Sequence, residues 1–581
     1  MTKLKTQILM TACIALAGGS MLSSGALAVR KPTVTSQIYG AGSSLVAPYW
    51  VQTGNCFSSA VPLLEENSVS PPTPPTLVTI TPFNYVGTSP ATSQNCATTV
   101  ENPSFAVNYI STGSGIGVQG VYSHNPQVYG QVNQSGTPAY YPSVQYGLSD
   151  YGIVQNDVNI YNEGGTEGSG SSAATVVAPG VTPGAGQYGN PLQLYGPLIV
   201  FPFSVDPVAI AYNSVYEKVY NPDTQTVTSY HFNINSKYAR SDGSGGLRLS
   251  PTTYCKIFTG EITNWNDPAI KKDNGKQSLE DPSDPTPAAH WTVPLQIVGR
   301  SDSSGTTSII YRHLATICGA LITAGTNPYA AAGSHSLPST LQGPAYTSSN
   351  PNYPSVSGET VGKFTLANLN AGVAQYLTFS SVTPNGSNGN VDSSGAVNEN
   401  AITLGRIAYL GPDYALPYVN STDANNYGLQ TASLENASSQ FEEPSPATAL
   451  SAFSVLTPPT GSAAADPANW VVGVAAGSSI ANPTTRGAYP IVGTTNFCGY
   501  QCYHAANIAN KMSALISYIE QKQINTSKTG ILSSAGLAPV PKAWGTAIVG
   551  NFAKNTSGNG LNVAAAGAAG ACAAGNGLVG G

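Results

Sequence analysis

Short apolar runs recur along this chain, each followed by a turn rich in glycine and hydroxyls and then by a stretch of helical character. Leu198–Phe203, Val208–Tyr212, Leu295–Val298 and Ile407–Leu410 read as strands, and the stretches opening at Ser44, Gly117 and Gly305 read as helices. Strand, turn and helix in succession is the grammar of an α/β fold. Ordered segments are expected at Ile38–Phe57, Phe105–Tyr122, Gly196–Asn213, Pro251–Lys271, Val293–Ile322, Ala401–Tyr414 and Ala488–Ala547. Between them, Glu65–Thr99, Asn162–Gln193, Thr323–Glu359 and Pro384–Asn400 are polar and read as loops or insertions. The Gly/Ala-rich tail, residues 557–581, is expected to be flexible. No repeat of fixed period is present, which argues against a solenoid or propeller.

Charge narrows the function classes. Of 581 residues only 22 are basic and 28 acidic, or 9%, where roughly 25% is usual. Between Lys31 and Lys218 no Lys or Arg occurs, while nine acidic residues do. Polyanions are held by clustered Lys and Arg, so nucleic acid is excluded as a partner. With 41% hydrophobic residues and a net charge of −6, charge-driven disorder is also excluded, and the length points to two domains.

The N-terminus reads as a signal peptide over residues 1–28. Lys3 and Lys5 are basic, Ile8–Leu22 is apolar, and Ala26-Leu27-Ala28 supplies a small-x-small cleavage pattern. The expected location is therefore exported: periplasmic, extracellular or at the cell surface. Seven cysteines follow, and export favours disulfides. Sequence proximity suggests Cys56–Cys96, Cys255–Cys318 and Cys498–Cys502, leaving Cys572 unpaired, although spacing alone does not fix connectivity. The six histidines show no zinc-ligand spacing, so no metal and no cofactor are expected.

Three turns share one chemical character: Gly40-Ala41-Gly42-Ser43-Ser44, Thr112-Gly113-Ser114-Gly115-Ile116-Gly117 and Asp302-Ser303-Ser304-Gly305-Thr306-Thr307. Glycine admits close approach of the backbone, hydroxyls donate, and the free N–H groups of a helix start suit an anion. Three ordinary capped helices would show the same pattern. Gly115–Gly120 also spells G-x-G-x-x-G, but no acidic residue stands about 20 positions on to hold a ribose, which argues against a dinucleotide. Asp150 is the only charged residue between Glu101 and Asp157. It reads either as a turn cap or as a carboxylate that accepts a proton from a protonated oxyanion. Arg300, two residues before Asp302, offers a rigid fork of donors for an oxyanion, with Asp302 as its support. A weak surface ion pair is the plainer reading of that pair.

Taken together and in order, these segments resemble the phosphate-binding protein of phosphate ABC transporters, a periplasmic substrate-binding protein. Gly40–Pro48 is similar to the family's first phosphate loop, with Ser44 in the hydroxyl position and Leu45 offering its backbone N–H. Ser114 matches the second loop and Asp150 the selectivity aspartate. Phe258–Ile270 is similar to the family's Trp-x-Asp-Pro-Ala-Ile signature, and Arg300–Thr306 to its main phosphate segment. Gly405–Tyr414, Tyr489–Gly493 and Gly536–Pro541 are similar to later characteristic segments. The departures are large insertions, Leu45 in place of an aromatic, and Ser303 in place of glycine. Arg240–Gly245 spells the main loop too, but lacks the following threonine and helix, so Arg300 is preferred.

The resemblance implies a two-lobed α/β periplasmic-binding-protein fold with the ligand in the interlobe cleft. Lobe I is expected over 36–205 and 486–556 and lobe II over 206–485, with hinge crossings near Phe203–Pro207 and between about 470 and 490. It implies phosphate-binding residues Ser44, Leu45, Ser114, Asp150, Arg300, Ser304, Gly305 and Thr306, with Asp302 in support. No catalytic residue is implied. The expected ligand is inorganic phosphate, delivered to an ABC transporter permease or scavenged outside the cell. The alternative is a secreted surface or assembly protein that reuses the fold and can self-assemble, which the tyrosine- and serine-rich inserts, an unpaired Cys572 and a flexible tail would suit.

Overall fold

The structure, a computed structural model, describes residues 36–58, 104–322, 327–329, 364–377, 405–419, 426–522 and 530–581, less short gaps within these ranges, and the two-residue strand Leu64–Glu65. The expected signal peptide and most of three expected insertions lie outside the described residues.

Two sheets organise the chain. The first has seven strands in the order Leu64–Glu65, Phe105–Ser111, Ser36–Gly42, Tyr146–Ser149, Val492–Tyr500, Leu198–Pro207 and Ala538–Pro539. Its first four strands are parallel to one another, and the last three join antiparallel. The second has five, Phe364–Ala367, Leu295–Arg300, Gly405–Leu410, Ala209–Tyr212 and Gln430–Thr431, the first three parallel. Helices follow the parallel strands, among them α1 Ala47–Phe57, α2 Ser114–Ser123, α3 Gly305–Ile317 and α4 Leu369–Tyr376. Covering helices bury the strands on both faces, which is why Leu198–Pro207 and Leu295–Arg300 are buried along their whole lengths.

The expected strands and helices thus form, with boundaries extended by a few residues. One residue, Val208, separates Leu198–Pro207 in the first sheet from Ala209–Tyr212 in the second. The chain therefore crosses between sheets within two residues of the expected hinge. Phe453 and Trp470 pack edge-on against Trp544, and Trp470 also packs at a tilt against Phe552. Part of the expected second lobe therefore packs against the C-terminal segment of the first, ahead of the expected crossing at 470–490. Trp265, from the signature segment, is core: it packs on Phe232 with ring centroids 4.5 Å apart, while Asp267 caps the next helix at Ala269 N–H.

Three expectations are corrected. Asn162–Gln193 is not a plain loop. It holds a hairpin, Gly165–Glu167 with Ala174–Val176, and leads into a helix at Pro191–Tyr195 that Asn190 caps. Cys498–Cys502 does not form. Cys498 and Cys502 are four residues apart in extended chain, roughly 13 Å at 3.3 Å per residue, beyond the reach of a disulfide. Cys502 bonds Cys572 instead, with Cα atoms 5.5 Å apart, and Cys498 stays a buried thiol. The tail, finally, is tied down. Besides that disulfide, Ala564–Ala565 pairs with Cys502–Tyr503, and Gly581 N–H donates to the Cys502 carbonyl at 2.9 Å. Cys255–Cys318 forms as expected. Cys56 is disulfide-bonded too, and its expected partner, Cys96, lies outside the described residues.

Candidate functional site

Parallel strands deliver their following loops to one edge, so the C-terminal edge of a parallel sheet collects polar loop residues. Here two such edges face each other. From the first sheet, Ser36–Gly42 ends at Ser44, Phe105–Ser111 ends at Ser114, and Tyr146–Ser149 ends at Asp150. From the second, Leu295–Arg300 ends at Arg300 and the loop to α3, and Phe364–Ala367 ends at Asn370.

Local geometry follows from the turn residues. Gly113, at φ +88°, turns the chain into α2, and its N–H and that of Thr112 donate to the Gly42 carbonyl at 2.9 and 3.0 Å. This fixes the second loop against the first. Ser304 caps α3 by accepting from Thr307 N–H at 3.2 Å, and Gly305 opens the helix. A side chain at 305 would have no room: a Cβ there would lie 2.2 Å from Tyr151 N and 2.4 Å from the Asp150 carbonyl carbon. Only glycine lets α3 approach the first sheet this closely.

The side chains form one hydrogen-bonded cluster across the seam. Arg300 Nε donates to Asp302 Oδ1 at 2.7 Å and Nη2 to Oδ2 at 2.5 Å, a bidentate fork. Nη2 also donates to Ser44 Oγ at 2.8 Å, while Nη1 reaches Asn370 Oδ1 at 3.2 Å and Thr306 Oγ1 at 3.4 Å. Thr306 Oγ1 donates to Asp150 Oδ2 at 3.0 Å, and Ser114 Oγ donates to Asp150 Oδ1. Gly115 N–H, from the first sheet's loop, donates to the Ser303 carbonyl at 3.1 Å. The polar side chains of this cluster are at most 3% exposed, apart from Asp302. Burial works against the Arg300 charge, but the Asp302 carboxylate outweighs it and holds the guanidinium above its usual range.

The structure thus brings together Ser44, Ser114, Asp150, Arg300, Asp302, Ser304, Gly305 and Thr306. Leu45 sits beside them, but its N–H donates to Ser43 Oγ at 3.1 Å, a local serine turn within its own loop. Asn370 was not foreseen. Its N–H and its side-chain amide both reach Ser44 Oγ at 3.3 Å, and its side-chain oxygen receives Arg300. The signal was there in the four-residue apolar run Phe364–Ala367 followed by Asn368-Leu369-Asn370 at a helix start. Arg240, the other copy of the loop, lies elsewhere. It pairs with Glu443 at 2.6 Å and donates to Ser244, Thr431 and the Leu416 carbonyl, none of them in the cluster.

Behind the cluster, on the strand that crosses between sheets, Asp206 accepts from Thr495 Oγ1 at 2.7 Å. Burial pushes its carboxyl up to about 7, against the pull of the Thr495 hydrogen bond, and the nearby Asp150 charge adds to the rise. Among the described residues no group of His, Cys, Asp or Glu is placed to hold a metal ion, and no helix is long and apolar enough to cross a membrane. The arrangement offers neutral hydroxyl and amide donors, one arginine and one carboxylate acceptor in a desolvated space, which suits a small oxyanion that carries a proton.

Known proteins share part of this sequence and its fold. The model of the PBP superfamily domain matches residues 192–519. Alkaline phosphatase L of Pseudomonas aeruginosa is 24% identical over 320 residues, 54% of this chain, and the match spans 64% of that protein's length. A phosphate-binding protein from an unknown prokaryotic organism is 23% identical over 328 residues, 56% of this chain and 71% of that protein. The crystal structure of an ancestral soluble variant of the human phosphate-binding protein superposes with a TM-score of 0.50 at 19% identity, covering 91% of this chain and 96% of that one, and shares its fold.

Proposed function

The chain belongs to the PBP superfamily, and on that premise we propose that it captures inorganic phosphate between its two sheets. The observation that carries this reading is the pairing of Arg300 and Asp150 in one buried cluster, each bonded to a hydroxyl from the opposite sheet. Arg300, Ser44, Ser114, Ser304, Gly305 and Thr306 supply donors to the phosphate oxygens, and the Leu45 N–H joins them by exchanging Ser43 Oγ for the ligand. Asp150 accepts the proton of the monohydrogen form. Sulfate has no such proton, so it would leave a buried carboxylate facing an oxyanion without a donor between them. A site built around a ligand O–H rejects an analogue lacking it by roughly 10⁴–10⁵. In this reading the lobes are joined near Val208, where the chain passes from the first sheet to the second, and close on the ligand as in hinge-type binding proteins.

Export, release to an ABC transporter permease or scavenging outside the cell, and the absence of catalysis are parts of the same proposal. Titration calorimetry tests it. Wild type should bind phosphate at one site and give no sulfate heat, and Asp150→Asn and Arg300→Ala should each weaken phosphate severely. Unchanged affinity in both variants would overturn the site assignment, and turnover of a phosphomonoester by pure protein would overturn the non-catalytic reading.

A further inference from the structure

Arg312 is a second guanidinium buried where the two sheets meet. It is 5% exposed, its Nε has no hydrogen-bond partner, and it belongs to no ion pair among the described residues. A buried, unpaired cation costs stability, so its presence needs a reason.

Its placement follows from α3. Gly305 and Arg312 are seven residues apart, which at 3.6 residues per turn puts them on one stripe of the helix. Gly305 heads that stripe and touches the backbone of Asp150 and Tyr151. Helical side chains lean toward the N-terminus, so Arg312 leans back along the stripe toward the same two residues. Burial lowers the arginine to about 10, and the Asp150 carboxylate works against that fall.

The charges that touch one another in the cluster are two carboxylates, Asp150 and Asp302, and one guanidinium, Arg300. Their sum is negative, yet the ligand of the reading above is a dianion. The helix starts offset part of that mismatch. Arg312 supplies a full positive charge on the Asp150 side, opposite Arg300's engagement with Asp302.

We propose that Arg312 is a remote counter-charge for the bound anion: a positioning residue that does not touch the ligand but offsets the negative charge gathered around it. This rests on the phosphate reading and adds a residue to it. Unlike the contact residues, Arg312 should weaken the ligand-free protein while strengthening the complex.

The test uses Arg312→Met, Arg312→Gln and Arg312→Lys in the full chain, with phosphate titration and ligand-free melting on each. Arg312 stands seven residues, about 10 Å, along α3 from Gly305, and loss of one unit charge acting on a dianion over about 10 Å at an effective dielectric near 20 should weaken phosphate on the order of 100-fold in the Met and Gln variants. Their ligand-free Tm should hold or rise, because an unpaired buried charge is gone. The Lys variant should bind within about tenfold of wild type, by charge alone. Wild-type affinity in the neutral variant that folds would overturn the role. So would a Lys variant as weak as the neutral ones with a lowered Tm in all three, since that pattern marks a packing residue. A wild-type chain that gives no phosphate heat overturns the phosphate reading and Arg312's role together, whereas binding by wild type and unchanged binding by the variants overturns Arg312's role alone.

Discussion

Gly305→Ala is the smallest change that should separate folding from closure. The residue opens α3 with ordinary helical backbone, and alanine is the better helix former, so the second sheet and its helix should tolerate it. What it cannot tolerate is the other side of the seam. A Cβ at 305 would lie 2.2 Å from Tyr151 N, 2.4 Å from the Asp150 carbonyl carbon and 2.7 Å from Ser114 Oγ. Two of these neighbours are backbone and cannot rotate away. Non-bonded carbon contacts sit at about 3.5–4.0 Å, so the two sides must part by about 1 Å. That parting stretches Thr306 Oγ1 to Asp150 Oδ2, now 3.0 Å, and Arg300 Nη2 to Ser44 Oγ, now 2.8 Å, beyond hydrogen-bond range. Hydrogen bonds to charged groups contribute about 1.5–3 kcal/mol each, so losing two costs about 3–6 kcal/mol, or roughly 10²–10⁴ in affinity. Titration calorimetry with phosphate should show that loss; the two bonds join the lobes to each other but fold neither, so far-UV circular dichroism of the ligand-free variant should match wild type. Wild-type affinity in Gly305→Ala would refute the claim that the closed contact at this glycine is the binding geometry.

Four further outcomes follow from named contacts. Asn370→Ala removes a side-chain partner of Arg300 and one of Ser44 while keeping the backbone N–H, and should weaken phosphate by about tenfold to a hundredfold, while Asn370→Asp, which adds a third carboxylate, should weaken it more. His313 donates from Nδ1 to the Ala481 carbonyl at 2.7 Å and accepts from Tyr254 at 2.9 Å, and burial lowers it to about 4. The unfolded chain takes up that proton first, so stability is full above about pH 6.5 and falls by about 3 kcal/mol by pH 4; urea unfolding across pH should flatten there in His313→Gln. Asp206 works in the opposite sense. It is raised to about 7, so its contribution is present below about pH 4 and is lost as pH rises through 7, and Asp206→Asn should gain most on wild type at pH 8. Breaking Cys502–Cys572, which closes 70 residues, should cost up to about 4 kcal/mol and leave phosphate affinity unchanged, because neither cysteine touches the cluster.

Much of the site was legible because its residues follow strands. Ser44, Ser114, Asp150 and Arg300 each stand just past an apolar run, and parallel topology carries such positions to one edge without further information. Asn370 escaped the same logic because Phe364–Ala367 is only four residues long and follows a long uncharged segment. The Cys502–Cys572 bond was hidden for another reason. Proximity along the chain favours Cys498, but an extended strand holds Cys498 too far away, and only tertiary pairing brings Cys572 to Cys502. Arg312 gave no signal either. An arginine two turns into a helix reads as a surface residue until the helix is seen to lie between two sheets. Among the charged residues, scarcity was the useful guide: in a chain so poor in charge, Asp150, Arg300 and Asp302 were conspicuous, and they meet.

The central claim is that this buried cluster takes up phosphate and uses Asp150 to require its proton. Parallel titrations of the wild-type chain with phosphate and with sulfate test it most directly. The account expects one phosphate per chain, bound tightly, with no measurable sulfate heat at the same concentrations. Equal binding of the two anions, or binding of neither, would contradict it.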